Sequence, residues 1–106
     1  MPSYRDLLAQ VKTEIDEVDA SRARELLDAP EPPLFVDVRE SDEWDEGHVP
    51  DAVHLARGFL ESRIEAAAPD HSQPIVVYCA GGSRSAFAAK SLQELGYENV
   101  VSLAGG

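Results

Sequence analysis

Cys79 is the only cysteine in this 106-residue chain, and it stands where an apolar run, "IVVYC", meets "AGGSRS". A thiol is a nucleophile only as its thiolate, so the surroundings must favour a negative charge on sulfur. Gly81 and Gly82 accept backbone angles that other residues avoid, which lets successive amide N–H groups turn toward one point. A helix beginning just beyond adds the positive end of its dipole. Arg84 supplies a permanent cation, and Ser83 and Ser85 supply hydroxyl donors. Such a setting can pull a thiol below its free value of about 8.5. By itself a cysteine at a strand end is a small buried hydrophobe. A core cysteine needs no anion cradle, however, so the Gly-Gly-Ser-Arg-Ser continuation predicts a nucleophile activated without a histidine base. A nucleotide-phosphate loop does not fit, because that pattern requires a Gly-Lys pair and no lysine is present here.

The elements that must hold this loop alternate along the chain. "YRDLLAQVKTEI" places Leu7, Leu8, Val11 and Ile15 at helical spacing, and residues 15–18 read as a short edge strand. Asp19 is an N-cap for a second helix, "ASRARELLDA", with Leu26 and Leu27 inward, and the "PEPP" run ends it. "LFVDV" is a strand, and Ser41 is read as the N-cap of one helical turn whose Asp42 and Glu43 suit its positive end. A proline turn leads to a third strand near residues 52–55. "FLESRIEAA" follows as a helix with Leu60, Ile64 and Ala67 on one face. "IVVYC" is apolar throughout, as a strand covered on both faces should be. "SAFAAKSLQELG" is a helix that stops at Gly96, and "NVVSLAGG" is a last strand. The order predicts an α/β fold, a parallel sheet with helices on both faces. Function in such sheets gathers beyond the carboxyl ends of the strands, where Cys79 sits.

Composition narrows the chemistry further. One hundred and six residues make one domain. A formal net charge of −11 argues against nucleic acid and against an acidic membrane surface. No apolar run approaches the roughly 20 residues needed for a spanning helix. The N-terminus lacks the basic and apolar regions of a secretory signal, so cytoplasmic residence is expected. One cysteine excludes an internal disulfide and a thiolate-rich zinc site.

"DVRESDEWDEGHVPDAVHL" and "VVYCAGGSRSAFAAKSLQELGYENVVSLAGG" together resemble the rhodanese (sulfurtransferase) family, in order and in spacing. The similarity covers about residues 19–106, with residues 1–18 as an N-terminal helix and lead-in. It implies a five-stranded parallel sheet, a catalytic Cys79, and a persulfide held by the amides of Ala80, Gly81, Gly82, Ser83, Arg84 and Ser85. Asp37, Arg39, Glu46, Gly47 and His48 match an upstream motif that is chiefly structural. Asp51 stands where the family has glycine, with a local turn effect expected. The family usually continues past the Gly-Gly pair into a tryptophan-bearing segment and a final helix. Their absence marks either a trimmed chain or a piece of a longer polypeptide.

The resemblance implies sulfur transfer from a small donor to a thiophilic acceptor, with no metal or organic cofactor. A protein persulfide donor or a sulfur-carrier protein is an alternative partner, which would make the domain a carrier module. Certain phosphatases of the same fold, and arsenate reductases, are the remaining alternative. Their loop has five residues between cysteine and arginine, to admit a tetrahedral oxyanion, whereas four intervene here. The acidic field also predicts weak affinity for the thiosulfate dianion and favours a neutral, persulfide or protein-borne donor. Arg57, just past the third strand, is either a donor-binding residue or a loop cap. Arg63 is read as pairing with Glu61 and Glu65 on the surface. Trp44, Phe59, Phe87 and Tyr97 are read as packing residues and His48 as a structural hydrogen-bonding residue. His54 and His71 carry no signal.

Overall fold

The computed structural model describes residues 3–105; the first two residues and the last, within the expected 1–18 and 19–106 segments, lie outside the described residues. Five strands, β1 (Asp16–Val18), β2 (Leu34–Asp37), β3 (Val53–His54), β4 (Ile75–Tyr78) and β5 (Val100–Leu103), form one sheet in the order β1-β5-β4-β2-β3. Every pairing is parallel. Five helices connect or precede them: α1 (Tyr4–Glu14), α2 (Ala20–Leu27), α3 (Ser41–Glu46), α4 (Leu60–Ala67) and α5 (Ser83–Glu94). No helix among the described residues is long and apolar enough to cross a membrane.

β4 is the central strand, and all four of its residues are buried. Ile75 and Val77 pack with Val36, Leu60, Ile64, Ala86 and Leu92 on the face covered by α1, α4 and α5. Val76 and Tyr78 turn to the opposite face, against Phe35, Ala23 and Leu103 under α2. A strand covered on both faces therefore carries no polar alternation. The amino-terminal segment is integral to this architecture, because β1 pairs with β5 and Val11 and Ile15 belong to the main core.

Several local expectations change. Leu7 is 49% exposed, so α1 turns Val11 and Ile15 inward and Leu8 partly so. Ala68, not Ala67, completes the buried stripe with Leu60 and Ile64, following the i, i+4 spacing of a helix face. α3 is capped at Glu40 instead of Ser41, and the Glu43 carboxylate accepts from the Glu40 N–H at 3.0 Å. Phe59 is 52% exposed, with the Arg63 guanidinium 4.3 Å from its ring centroid, so Arg63 stacks on an aromatic face. Asp51 has φ 63 at the tip of a turn closed by the Ala52 N–H on the Val49 carbonyl. The third residue of such a turn favours glycine, and aspartate tolerates the angle.

One buried ion pair locks the carboxyl end of β2. Asp37 is fully buried, and its carboxylate accepts the Arg39 backbone N–H at 2.9 Å and the guanidinium at 2.7–3.0 Å. Arg39 Nη2 also donates to the Gly47 carbonyl at 2.7 Å, which ties the end of α3 to the sheet. Burial pushes the Asp37 carboxyl up, but the Arg39 hydrogen bonds outweigh it and leave it below its ordinary value. A depressed folded-state value contributes stability above the unfolded value of about 3.9, and that stability is lost as pH falls through the folded value. Asp37→Asn should therefore cost about 2 kcal/mol at neutral pH and flatten the loss of stability below pH ~4. Urea midpoints across pH check this; an unchanged acid limb would show that another group controls it.

Candidate active site

The buried β4 strand delivers Cys79 to the carboxyl edge of the sheet, and the chain turns directly into α5. Gly82 caps that helix with φ 92 and ψ −4, a left-handed conformation that side chains rarely adopt. A Cβ at this position would lie 2.9 Å from the Gly105 nitrogen and 3.3 Å from the Leu103 carbonyl oxygen. Glycine is thus required twice, for the angle and for the close approach of the β5 exit.

This turn aims donors at sulfur. Cys79 Sγ accepts the Gly82 N–H at 3.1 Å and the Ser85 N–H at 3.4 Å, and the Ser85 hydroxyl lies 3.5 Å away. Burial is the largest influence and pushes the thiol up. The Ser85 hydroxyl and the Ser85, Gly82 and Gly81 amides outweigh it, so the thiol lies below its ordinary value. Only 3% of Cys79 is exposed. A nearly covered sulfur admits a single terminal atom more readily than a bulky group.

The Ser85, Gly82 and Gly81 amides are those that act on the thiol. Gly82 and Ser85 are buried against the sulfur, Ala80 and Gly81 form the exposed rim, and Ser83 and Arg84 occupy the first turn of α5. Arg84 does not stand free over the loop. Its Nη1 and Nη2 donate to the two Glu43 carboxylate oxygens at 2.7 and 3.0 Å, a parallel pair reaching across from α3. This pair holds Glu43 down to about 2. Arg57 is likewise engaged, by Glu61 at 2.8 and 2.9 Å and by Ser91 at 3.0 Å, so it joins α4 to α5 as a loop cap does. Of the upstream motif, Asp37, Arg39 and Gly47 form the lock described above, and Glu46 is the exposed last residue of α3. His48 Nδ1 bonds the Trp44 carbonyl oxygen at 3.0 Å, and its ring stacks on the indole at 3.4 Å.

Two side chains at this site escape a reading of the sequence. Glu43 reads there only as a helix-start acid. Ser102, fully buried in β5, donates to Ser85 Oγ at 2.8 Å. A serine inside an apolar strand is the one signal that could have pointed to it. With the thiol protonated, the S–H points at Ser85 Oγ; once it ionises, the Ser85 hydroxyl must turn to donate to sulfur. Ser102 then fills the acceptor position that Ser85 presents behind it. Hydrogen bonds to the charged form favour ionisation. Ser102→Ala should therefore raise the pH midpoint of Cys79 alkylation by iodoacetamide and cost about 1 kcal/mol of stability. An unmoved alkylation profile would show that Ser102 is only core.

A family model described as the rhodanese-like domain matches residues 19–106. The chain belongs to this family. Among curated relatives, the rhodanese-like domain is 38% identical over 73 residues to the thiosulfate sulfurtransferase GlpE of Coxiella burnetii (strain RSA 331 / Henzerling II). That match covers 69% of this chain and 66% of the relative, just under two thirds of its length. Among solved structures, a protein from Rhodopseudomonas palustris described as a tyrosine phosphatase candidate aligns with TM-score 0.88 and 29% identity, over 100% of this chain and 86% of that one. A thiosulfate sulfurtransferase from Pseudomonas aeruginosa aligns with TM-score 0.82 and 28% identity, over 93% of this chain and 19% of that one. The parallel five-stranded sheet agrees with the architecture that the rhodanese resemblance implied.

Proposed function

We propose that the protein is a sulfurtransferase that carries sulfane sulfur on Cys79 as a persulfide. The observation that carries this reading is a sulfur atom at the entry to α5 accepting the Gly82 and Ser85 N–H groups. The Cys79 thiolate attacks the outer sulfur of a donor. One S–S bond forms as the donor's S–S bond breaks, and the donor residue leaves with the electron pair. It departs as sulfite from thiosulfate, or as a thiolate from a persulfide. The amide and hydroxyl donors then hold the charge of the bound persulfide as they held that of the thiolate. Attack on the outer sulfur by cyanide, a thiol or another protein's cysteine breaks the second S–S bond and returns the Cys79 thiolate. Sulfur moves without net oxidation, so neither step needs a metal or an organic cofactor.

Phosphate-ester hydrolysis, suggested by the Rhodopseudomonas neighbour, is the reading to exclude. Four residues between Cys79 and Arg84 make a ring suited to one sulfur atom, and Arg84 is already paired with Glu43. The test incubates the protein with thiosulfate or a thiol persulfide, takes intact mass, and measures thiocyanate release with cyanide alongside hydrolysis of an aryl phosphate. The expected result is a mass gain of one sulfur atom and thiocyanate formation. Phosphatase turnover without a sulfur adduct would overturn the reading.

A further inference from the structure

The three arginines that flank the carboxyl edge of the sheet are each matched by a carboxylate: Arg39 by Asp37, Arg57 by Glu61 and Arg84 by Glu43. Of these, Arg84 borders the sulfur, and Glu43 first, the Cys79 sulfur last, hold its guanidinium in the charged form. Its fork is filled by two parallel bonds to Glu43, and Glu43 is itself fixed by accepting the Glu40 N–H at 3.0 Å. The rim beside it is acidic, because Glu40, Asp42, Asp45 and Glu46 are all exposed around α3. A dianion seeking Arg84 must displace a carboxylate that is held in place, and it then lies against that same charge. A persulfide on a neutral or cationic carrier meets neither obstacle, since it brings only its terminal sulfur to the loop.

We propose that Glu43 sets donor specificity: by closing Arg84 in an ion pair at the mouth of the cysteine loop, it turns the site from dianionic donors toward persulfides on uncharged or cationic carriers. This rests on the sulfurtransferase reading above. Glu43 acts through Arg84 and is thus a positioning residue.

The experiment compares the unaltered protein with Glu43→Gln, which keeps the shape and the cap to Glu40 but removes the charge. Glu43→Met is the second variant, filling the same space with an apolar chain. Each is assayed with thiosulfate and with the persulfide of N-acetylcysteine methyl ester, whose carrier is uncharged and which bears at most the single charge of its terminal sulfur. Opening Arg84 should lower KM for thiosulfate by about tenfold in both variants, with kcat held within about twofold. The constants for the persulfide on the uncharged carrier should stay within about twofold of the unaltered protein. Equal changes for both donors, or an unmoved thiosulfate KM, would overturn the assignment while leaving sulfur transfer intact. If neither donor adds sulfur to unaltered Cys79 by intact mass, the sulfurtransferase reading falls and this inference falls with it.

Discussion

Replacing Cys79 by serine should abolish sulfur loading, with no mass adduct after thiosulfate or persulfide and at least a ~1000-fold fall in thiocyanate formation. The hydroxyl fits the space left by sulfur, so the Gly82 and Ser85 N–H groups keep an acceptor and the fold should survive. What disappears is the ionised nucleophile, because the collar lowers a thiol that is already near the neutral range. An alcohol starts far above that range, and the same donors cannot bring it down. Thiocyanate formation by Cys79→Ser at the original rate would place the chemistry elsewhere and remove the basis of the proposed function.

Gly82→Ala should be nearly as damaging, by a different route. Its methyl group would meet the Gly105 nitrogen at 2.9 Å, and its φ of +92 suits only glycine. The strand exit it touches is backbone, which cannot rotate away. The loop must then shift, and the Gly82 N–H leaves its 3.1 Å contact with sulfur. We expect a loss of about 3 kcal/mol in urea unfolding and about a 100-fold slower sulfur loading. Gly81→Ala is the control, since a Cβ there meets nothing within 4 Å. It should change stability by less than about 1 kcal/mol. Equal effects of the two substitutions would mean that the collar is not held by the Gly82 backbone.

The frame of the molecule was legible because its signals are local. An unbroken apolar β4, a Gly-Gly turn and an amphipathic α5 together predict a strand-loop-helix unit, and the alternation of elements predicts the parallel sheet. Cys79 and its flanking glycines fall within this unit and were readable with it. The Glu43–Arg84 pair spans 41 positions and the Ser102–Ser85 bond spans 17, so no periodicity reveals them. Arg57 sits at the correct end of the sheet, yet Glu61 one turn along α4 captures it. The exposure of Leu7 and that of Ala67 share a cause. Helical spacing defines a stripe, and which edge of it faces the core depends on neighbours the spacing does not describe.

The single tryptophan gives this site an optical window of its own. Trp44 follows Glu43 in α3, and its ring lies 3.4 Å from that of His48 and 4.9 Å from that of His54. Indole emission is sensitive to a stacked imidazole and to small displacements of it. Movement of α3 when a ligand competes for Arg84 would thus alter fluorescence directly, with no attached dye, and the approach of a donor could be followed before any sulfur changes hands.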